Sequence, residues 1–276
     1  MKIVIKSPSY NSGSGGIIVL HRLCDILIEL GYDAGFYVEE GNSFYGNSSY
    51  RHNTFGISDI DIQNDIVIYP EIVWGNPLNF KKVIRYIMNV GHVTLGRKDT
   101  WGEQDVWIYY SERFYDGLTP KTILTIIDSK LEYFKDYNVP RTHKECFTYR
   151  KRLDDKAKVK VVHSEDAIEI PFNISDEDLI KVFNVCERFY SYDTATYLNV
   201  LASLCGCDSI IISDKGESRS EVVDKSPPLK YGVAFGVEEI EQARQTRPQL
   251  KKYLEDVELS QIEDTSRVFS KLLKEL

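Results

Sequence analysis

The chain lacks the features that would commit it to a membrane, to a metal or to a nucleic-acid surface. No apolar run approaches the roughly 20 residues that span a bilayer, and the N-terminus has no signal-peptide pattern. The expectation is a cytoplasmic protein with at most peripheral membrane contact. There is no basic excess: the 276 residues carry a formal net charge of −8, which argues against a general nucleic-acid binder. The five cysteines (Cys24, Cys146, Cys186, Cys205 and Cys207) include no CxxC pair and read as free thiols. The five histidines are too scattered to suggest a metal site, and no cofactor is implied. There is no fixed-period repeat and no low-complexity tract. With 42% hydrophobic and 28% charged residues, what remains is an ordinary globular chain with ample core.

Short apolar runs alternate with helical patterns, which predicts α/β architecture. Ile3–Ile5 reads as a strand and Ile17–Leu30 as a helix, with Ile17, Leu20, Leu23, Cys24, Ile26, Leu27 and Leu30 facing inward and Gly31 as its stop. A strand at Ala34–Val38 leads into a polar loop over 39–53. Further strands are predicted at Asp65–Tyr69 and Val106–Tyr110, with a helix at Pro77–Asn89 between them. A second doubly wound unit begins near Pro140. It comprises strands at Cys146–Tyr149 and Ala167–Ile170, a serine-capped helix from Ser175 to Cys186, and the stretch Phe189–Gly206. That stretch predicts a strand, a hydroxyl-rich turn, a helix of about three turns and a glycine stop. A strand at 207–213 follows, and a helix begins at Gln249, just past Pro248. The predicted domains are therefore 1–140 and 141–276, with the last helix packing back on the first.

Candidate chemistry clusters where strands end. Asp193, Thr194 and Thr196 sit at a helix start, where unpaired N–H groups and the positive dipole end favour an anion. Gly15 and Gly16 close a glycine-rich turn that lets a ligand approach backbone, although the spacing departs from GxGxxG. Arg141–Lys160 holds eight Lys or Arg against three acids, with Arg150 and Lys151 just past a predicted strand. Arginine and lysine there suit phosphate. Glu71 follows a buried strand and His92 a predicted helix, so both are candidate bases, while Glu71 equally suits a bond to Asn76 or a pair with Arg85. His21 reads as a core residue. Asp59-Ile-Asp61 has a DxD form but lies in a polar turn, which favours a structural role.

Four passages resemble glycosyltransferases of the GT-B fold, the glycogen-synthase-like group with two Rossmann-like domains facing a cleft. They are Gly15–Asp25 with Leu30-Gly31-Tyr32; Tyr69–Pro77 with Val83–Asn89; Cys146–Lys151; and Phe189–Gly206. The second and third are similar to a subset acting on surface polysaccharides. The resemblance implies metal-independent transfer of a sugar from a nucleoside-diphosphate-sugar to a glycan or lipid-linked hydroxyl, with no nucleic-acid partner. It assigns Gly15 and Gly16 to the donor diphosphate or the acceptor, and Arg150 and Lys151 to the diphosphate. Tyr192, Asp193, Thr194 and Thr196 would contact phosphates and sugar. One departure stands out: Asp193 matches the first of two carboxylates common in the larger group, and Leu201 stands at the second. A non-catalytic degenerate transferase and an NAD-dependent or nucleotide-sugar-modifying enzyme are the alternatives.

Overall fold

Runs of β-branched and aromatic residues form eleven parallel strands in two sheets among the described residues, which are 1–89, 96–117, 119–149, 160–213 and 216–276 of this computed structural model. The first sheet joins β1 (Lys2–Ile5), β2 (Asp33–Tyr37), β3 (Thr54–Phe55), β4 (Ile66–Pro70), β5 (Lys82–Ile87) and β6 (Val106–Tyr109) in the order β3-β2-β1-β4-β5-β6. The second joins β7 (His143–Thr148), β8 (Ile168–Glu169), β9 (Cys186–Ser191), β10 (Asp208–Ile211) and β11 (Val233–Phe235) in the order β11-β10-β9-β7-β8. Two compact units follow, one of Met1–Asp128 with Val257–Leu276 and one of Ser129–Asp256. The division lies ahead of Pro140, and the end of the chain is part of the first unit.

Burial on both faces explains the strands. In the first unit Ile3, Ile5, Ile66, Ile68, Ile84 and Tyr86 point to one face, where they meet Leu20, Leu23 and Leu27 of the helix Gly15–Glu29 and Phe269 and Leu272 of the C-terminal helix. Val4, Val67, Tyr69 and Val83 point to the other. The helix predicted over 77–89 is instead β5. Every residue from Val83 to Ile87 is buried, so a parallel strand covered on both faces presents a continuous apolar run that mimics helical spacing.

Two helices stop in the same way. Gly31 (φ +86°) and Gly206 (φ +80°) take the left-handed conformation. The N–H groups of Gly31 and Tyr32 reach the carbonyls of Ile28 and Leu27, and those of Gly206 and Cys207 reach Ser203 and Ala202. These are Schellman closures, which satisfy the last free carbonyls. The helix before Gly206 is shorter than predicted, Leu198–Leu204. The last helix is longer, Ile240–Glu275, and runs through Pro248. Burial of Leu250 and Leu254 beyond the proline offsets the ~3 kcal/mol that an interior proline costs.

Among the described residues of the first unit, Arg85 is a fully buried cation. Arg85 of β5 donates from Nε to Asp105 (2.7 Å) and from Nη2 to the Gly75 carbonyl (2.6 Å). Its guanidinium lies 4.9 Å from the ring centroids of both Tyr69 and Trp101. Burial pushes the Arg85 pKa down, against the pull of Asp105. Removing only the partner leaves a buried charge uncompensated, so Asp105→Ala is expected to destabilise the first unit by about 3–5 kcal/mol. Replacing both partners by apolar residues, Arg85→Met with Asp105→Leu, costs clearly less. Urea unfolding followed by tryptophan fluorescence makes the comparison, and equal costs would refute the burial argument.

Candidate active site

Parallel sheets place usable polar groups beyond the C-terminal ends of their strands, and most room lies where successive connections turn to opposite sides. In the second unit that point falls between β7 and β9, since the chain leaves β7 toward β8 and leaves β9 toward β10. The residues just past those strand ends are Tyr149 and the turn beginning Tyr192-Asp193-Thr194. The predicted donor-binding segment is therefore at the switch point of its sheet.

The turn is tightly built. Tyr192 N–H reaches the Thr148 carbonyl (3.0 Å), and the buried Ser191 hydroxyl donates to the Asp193 carbonyl (2.7 Å). Asp193 is 5% exposed; its Oδ1 accepts the Ala195 N–H (2.9 Å), while its buried Oδ2 has no hydrogen-bond partner among the described residues. Thr194 donates to Glu217 (3.3 Å), and Thr196 accepts the Leu198 N–H (3.3 Å). Asp193 and Thr194 thus organise the turn before the helix rather than capping it. Tyr197 is the N-cap and makes no side-chain cap bond. Leu201 lies 5% exposed in the apolar core.

An aromatic stack underpins the turn. Tyr149 stacks on Tyr192 at 5.0 Å, and His163 lies parallel on Phe147 at 3.7 Å. The Tyr192 hydroxyl accepts the Val162 N–H (3.0 Å) and is hydrogen bonded to Nδ1 of His163 (2.7 Å). Burial pushes the Tyr192 pKa up and that of His163 down, the latter against Glu145 and Glu169. Sequence reading passed over His163 and Glu217, because each reaches the site from a separate loop and no local spacing announces the contact.

No family model matches the chain, and no curated protein sequence matches it. Solved structures do. An alpha-glucosyltransferase (AGT) in complex with UDP aligns at TM-score 0.51 and 13% identity, covering 99% of each chain. T4 phage BGT in complex with UDP and Mn2+ aligns at TM-score 0.51 and 11% identity, again over 99% of each chain. An alpha-glucosyltransferase with UDP and a 13-mer DNA containing a HMU base aligns at TM-score 0.50 and 13% identity, covering 100% of this chain and 99% of the other. The fold is that of the GT-B glycosyltransferases.

Within this GT-B fold, the first unit's switch point lies between β1 and β4. Glu71, 5% exposed, follows β4 and accepts the Met88 N–H (3.1 Å), which ties the ends of β4 and β5. Neither Asn76 nor Arg85 is its partner in those bonds: Asn76 joins Tyr69 and Phe80, and Arg85 joins Asp105. A Cβ on Gly16 would meet Met88 at 3.6 Å, so Gly16 shares that corner, whereas one on Gly15 would meet nothing within 4 Å. His21 is core, 1% exposed and stacked on Phe36 and Phe44. Asp59 and Asp61 cap turns at the opposite, N-terminal edge, accepting the N–H groups of Gly56 and Gln63. His92, Arg150 and Lys151 lie outside the described residues. Among the described residues no group of three or more His, Cys, Asp or Glu side chains is placed to hold a metal ion.

A histidine with a depressed pKa makes the fold less stable in acid. As pH falls below about 6.5 the unfolded chain takes up its proton first, so stability falls until the folded pKa is passed. An NMR titration of His163 is expected to give a midpoint below 6.5, and His163→Asn to flatten the loss of thermal stability between pH 7 and 5. His21, shifted the same way by burial, retains its own share of that slope.

Proposed function

We propose that this chain is a glycosyltransferase that binds a nucleoside-diphosphate-sugar at the β7–β9 end of its second sheet and passes the sugar to an acceptor hydroxyl. The observation that carries the reading is the buried Asp193 carboxylate, whose Oδ2 is unpartnered among the described residues and lies at the switch point of a parallel sheet. Leaving such an oxygen unmatched costs about 1–3 kcal/mol or more, a cost recovered when a ligand donor arrives. The GT-B fold, and similar structures holding UDP, support the same placement.

In this reading Arg150 and Lys151, which follow Tyr149 in the chain, stabilise the diphosphate as it leaves. That electrostatic contribution needs neither a metal nor a cofactor. Tyr192 and the Asp193–Thr196 turn hold the donor, with Gly15 and Gly16 at the mouth of the first sheet. Glu71 is the base on the acceptor side if one is required, together with His92. The acceptor implied by the sequence resemblance is a glycan or lipid-linked hydroxyl. DNA is the second reading, favoured by the 13-mer DNA containing a HMU base held in one similar structure. Five buried free thiols suit a reducing compartment, and we place the reaction in the cytoplasm.

Thermal shifts against UDP, GDP, dTDP, CDP and NAD test the donor class. One nucleoside diphosphate is expected to stabilise the protein by about 2.7 kcal/mol at a hundredfold excess over its Kd. Asp193→Asn and Arg150→Ala each weaken that effect. A response to NAD alone, or to none of the five, refutes the reading. Donor turnover that persists in EDTA supports metal independence, and its loss there refutes it. Binding without turnover on either acceptor class leaves the degenerate-transferase alternative standing.

A further inference from the structure

We infer that the second unit holds a separate oxyanion site at the opposite, N-terminal edge of its sheet, where arginines take a phosphate-sized group. Arg141, Arg188, Arg244 and Arg247, with Glu187 and Asp208, line a cavity of about 240 Å³ there, beside the starts of β9 and β10. The site is distinct from the donor turn: Arg188 lies roughly 16 Å from Asp193 at about 3.3 Å per strand residue. The volume is below the roughly 300–1,000 Å³ of pockets that enclose drug-sized ligands, so it suits a phosphoryl group rather than a whole nucleotide. Four arginines around one cavity are a local reversal in a chain of net charge −8.

Two of the arginines are fixed as walls. Arg141 donates to the carbonyls of Phe183 (2.5 Å), Cys186 (2.9 Å) and Cys205 (2.6 Å), at the ends of two helices. Arg247 donates to the Gly206 carbonyl (2.9 Å) and to Asp208 (2.7 Å), and its buried Nε has no hydrogen-bond partner among the described residues. Asp208 also accepts Arg244 at 2.6 Å, so one carboxylate holds two guanidinium groups. Burial favours the protonated acid, yet these arginines keep the Asp208 pKa below the usual carboxylate value. Bonds to helix-end carbonyls account for Arg141 and Arg247. They do not account for Arg188 and Arg244, which line the same cavity with 44% and 52% of their side chains exposed. The other acids in reach are held loosely: Asp136 is 3.4 Å from Arg141, Glu241 3.7 Å from Arg244 and Glu145 4.0 Å from Arg188. All three distances exceed the about 2.7–2.9 Å of a charge-assisted hydrogen bond. Glu187 is exposed, where solvent and salt screen it. An arriving dianion therefore competes chiefly with Asp208, and the arginine forks match its oxygens.

Isothermal titration at fixed ionic strength, with amide NMR to locate the site, tests this on wild type, Arg188→Ala, Arg188→Lys and Arg150→Ala. The probes are inorganic phosphate and glycerol 3-phosphate. Wild type is expected to bind phosphate saturably, with shifts at the Arg188 and Asp208 amides. Arg188→Ala weakens that binding about tenfold or more. Arg188→Lys, which keeps the charge and loses the fork, weakens it less. Arg150→Ala and added UDP leave it unchanged. Tighter binding of inorganic phosphate assigns the free ion as occupant, and tighter binding of glycerol 3-phosphate assigns a phosphomonoester. Absence of saturable binding overturns the inference, as does equal affinity in wild type and Arg188→Ala. Loss in Arg150→Ala, or displacement by UDP, also overturns it by placing the phosphate in the donor site. Unchanged melting of Arg188→Ala without phosphate shows that the fold is intact. Failure of every nucleoside diphosphate to bind refutes the donor reading alone, which separates the two failures.

Discussion

A parallel sheet has to be covered on both faces, and that constraint organises each unit. The interiors Val83–Ile87 and Phe189–Ser191 are consumed by packing, so they have no side chain to offer a ligand from mid-strand. Polar chemistry is displaced to the strand ends, and the order of the strands decides which end is open. In the order β11-β10-β9-β7-β8 the connections part only between β7 and β9. The aromatic stack of Tyr149, Tyr192, His163 and Phe147 follows from the same constraint. These rings finish the apolar face of the sheet and at once form the floor on which the Asp193 turn rests.

The same displacement produces the buried polar groups of the first unit in a different form. Arg85 is a strand residue with no exposure, so its charge needs partners within reach of β5. Asp105, the Gly75 carbonyl and two aromatic faces supply them, and the bond to Gly75 fixes the loop just past Glu71. Glu71 in turn spends one oxygen on the Met88 N–H. That oxygen holds two strand ends together. Asp193 likewise gives Oδ1 to the Ala195 N–H, but its buried Oδ2 has no hydrogen-bond partner among the described residues, and that oxygen places the stronger evidence for ligand binding in the second unit.

What could be read from the sequence was local. The strands at Ile3–Ile5, Asp65–Tyr69 and Cys146–Tyr149, the helix after the glycine loop and the stops at Gly31 and Gly206 depend on spacing and φ preference, which neighbours in sequence determine. Pro77–Asn89 misled because burial on both faces erases the alternation that marks a strand. The start of the last helix misled because Leu250 and Leu254 outweigh a proline. Asp193 was legible as a polar residue after a strand, but its orphaned oxygen was not, since that depends on what fails to arrive from elsewhere in the fold. His163 and Glu217 were invisible for the same reason: 29 residues separate His163 from the Tyr192 hydroxyl it bonds, and 23 separate Glu217 from Thr194.

Leu201 now has a physical explanation. The resemblance to GT-B transferases places a second carboxylate there, yet the residue packs among Phe189, Leu198 and Cys205 in the apolar core of the second unit. A charge at that position would be buried without a partner, at a cost the short helix Leu198–Leu204 has no means to offset. Glu217 reaches the Asp193 turn from the loop after β10, whose start is pinned to the end of β9 by the Ile212 N–H. The chain gains an apolar helix face and keeps a carboxylate near the turn, with the loop rather than the helix setting its position.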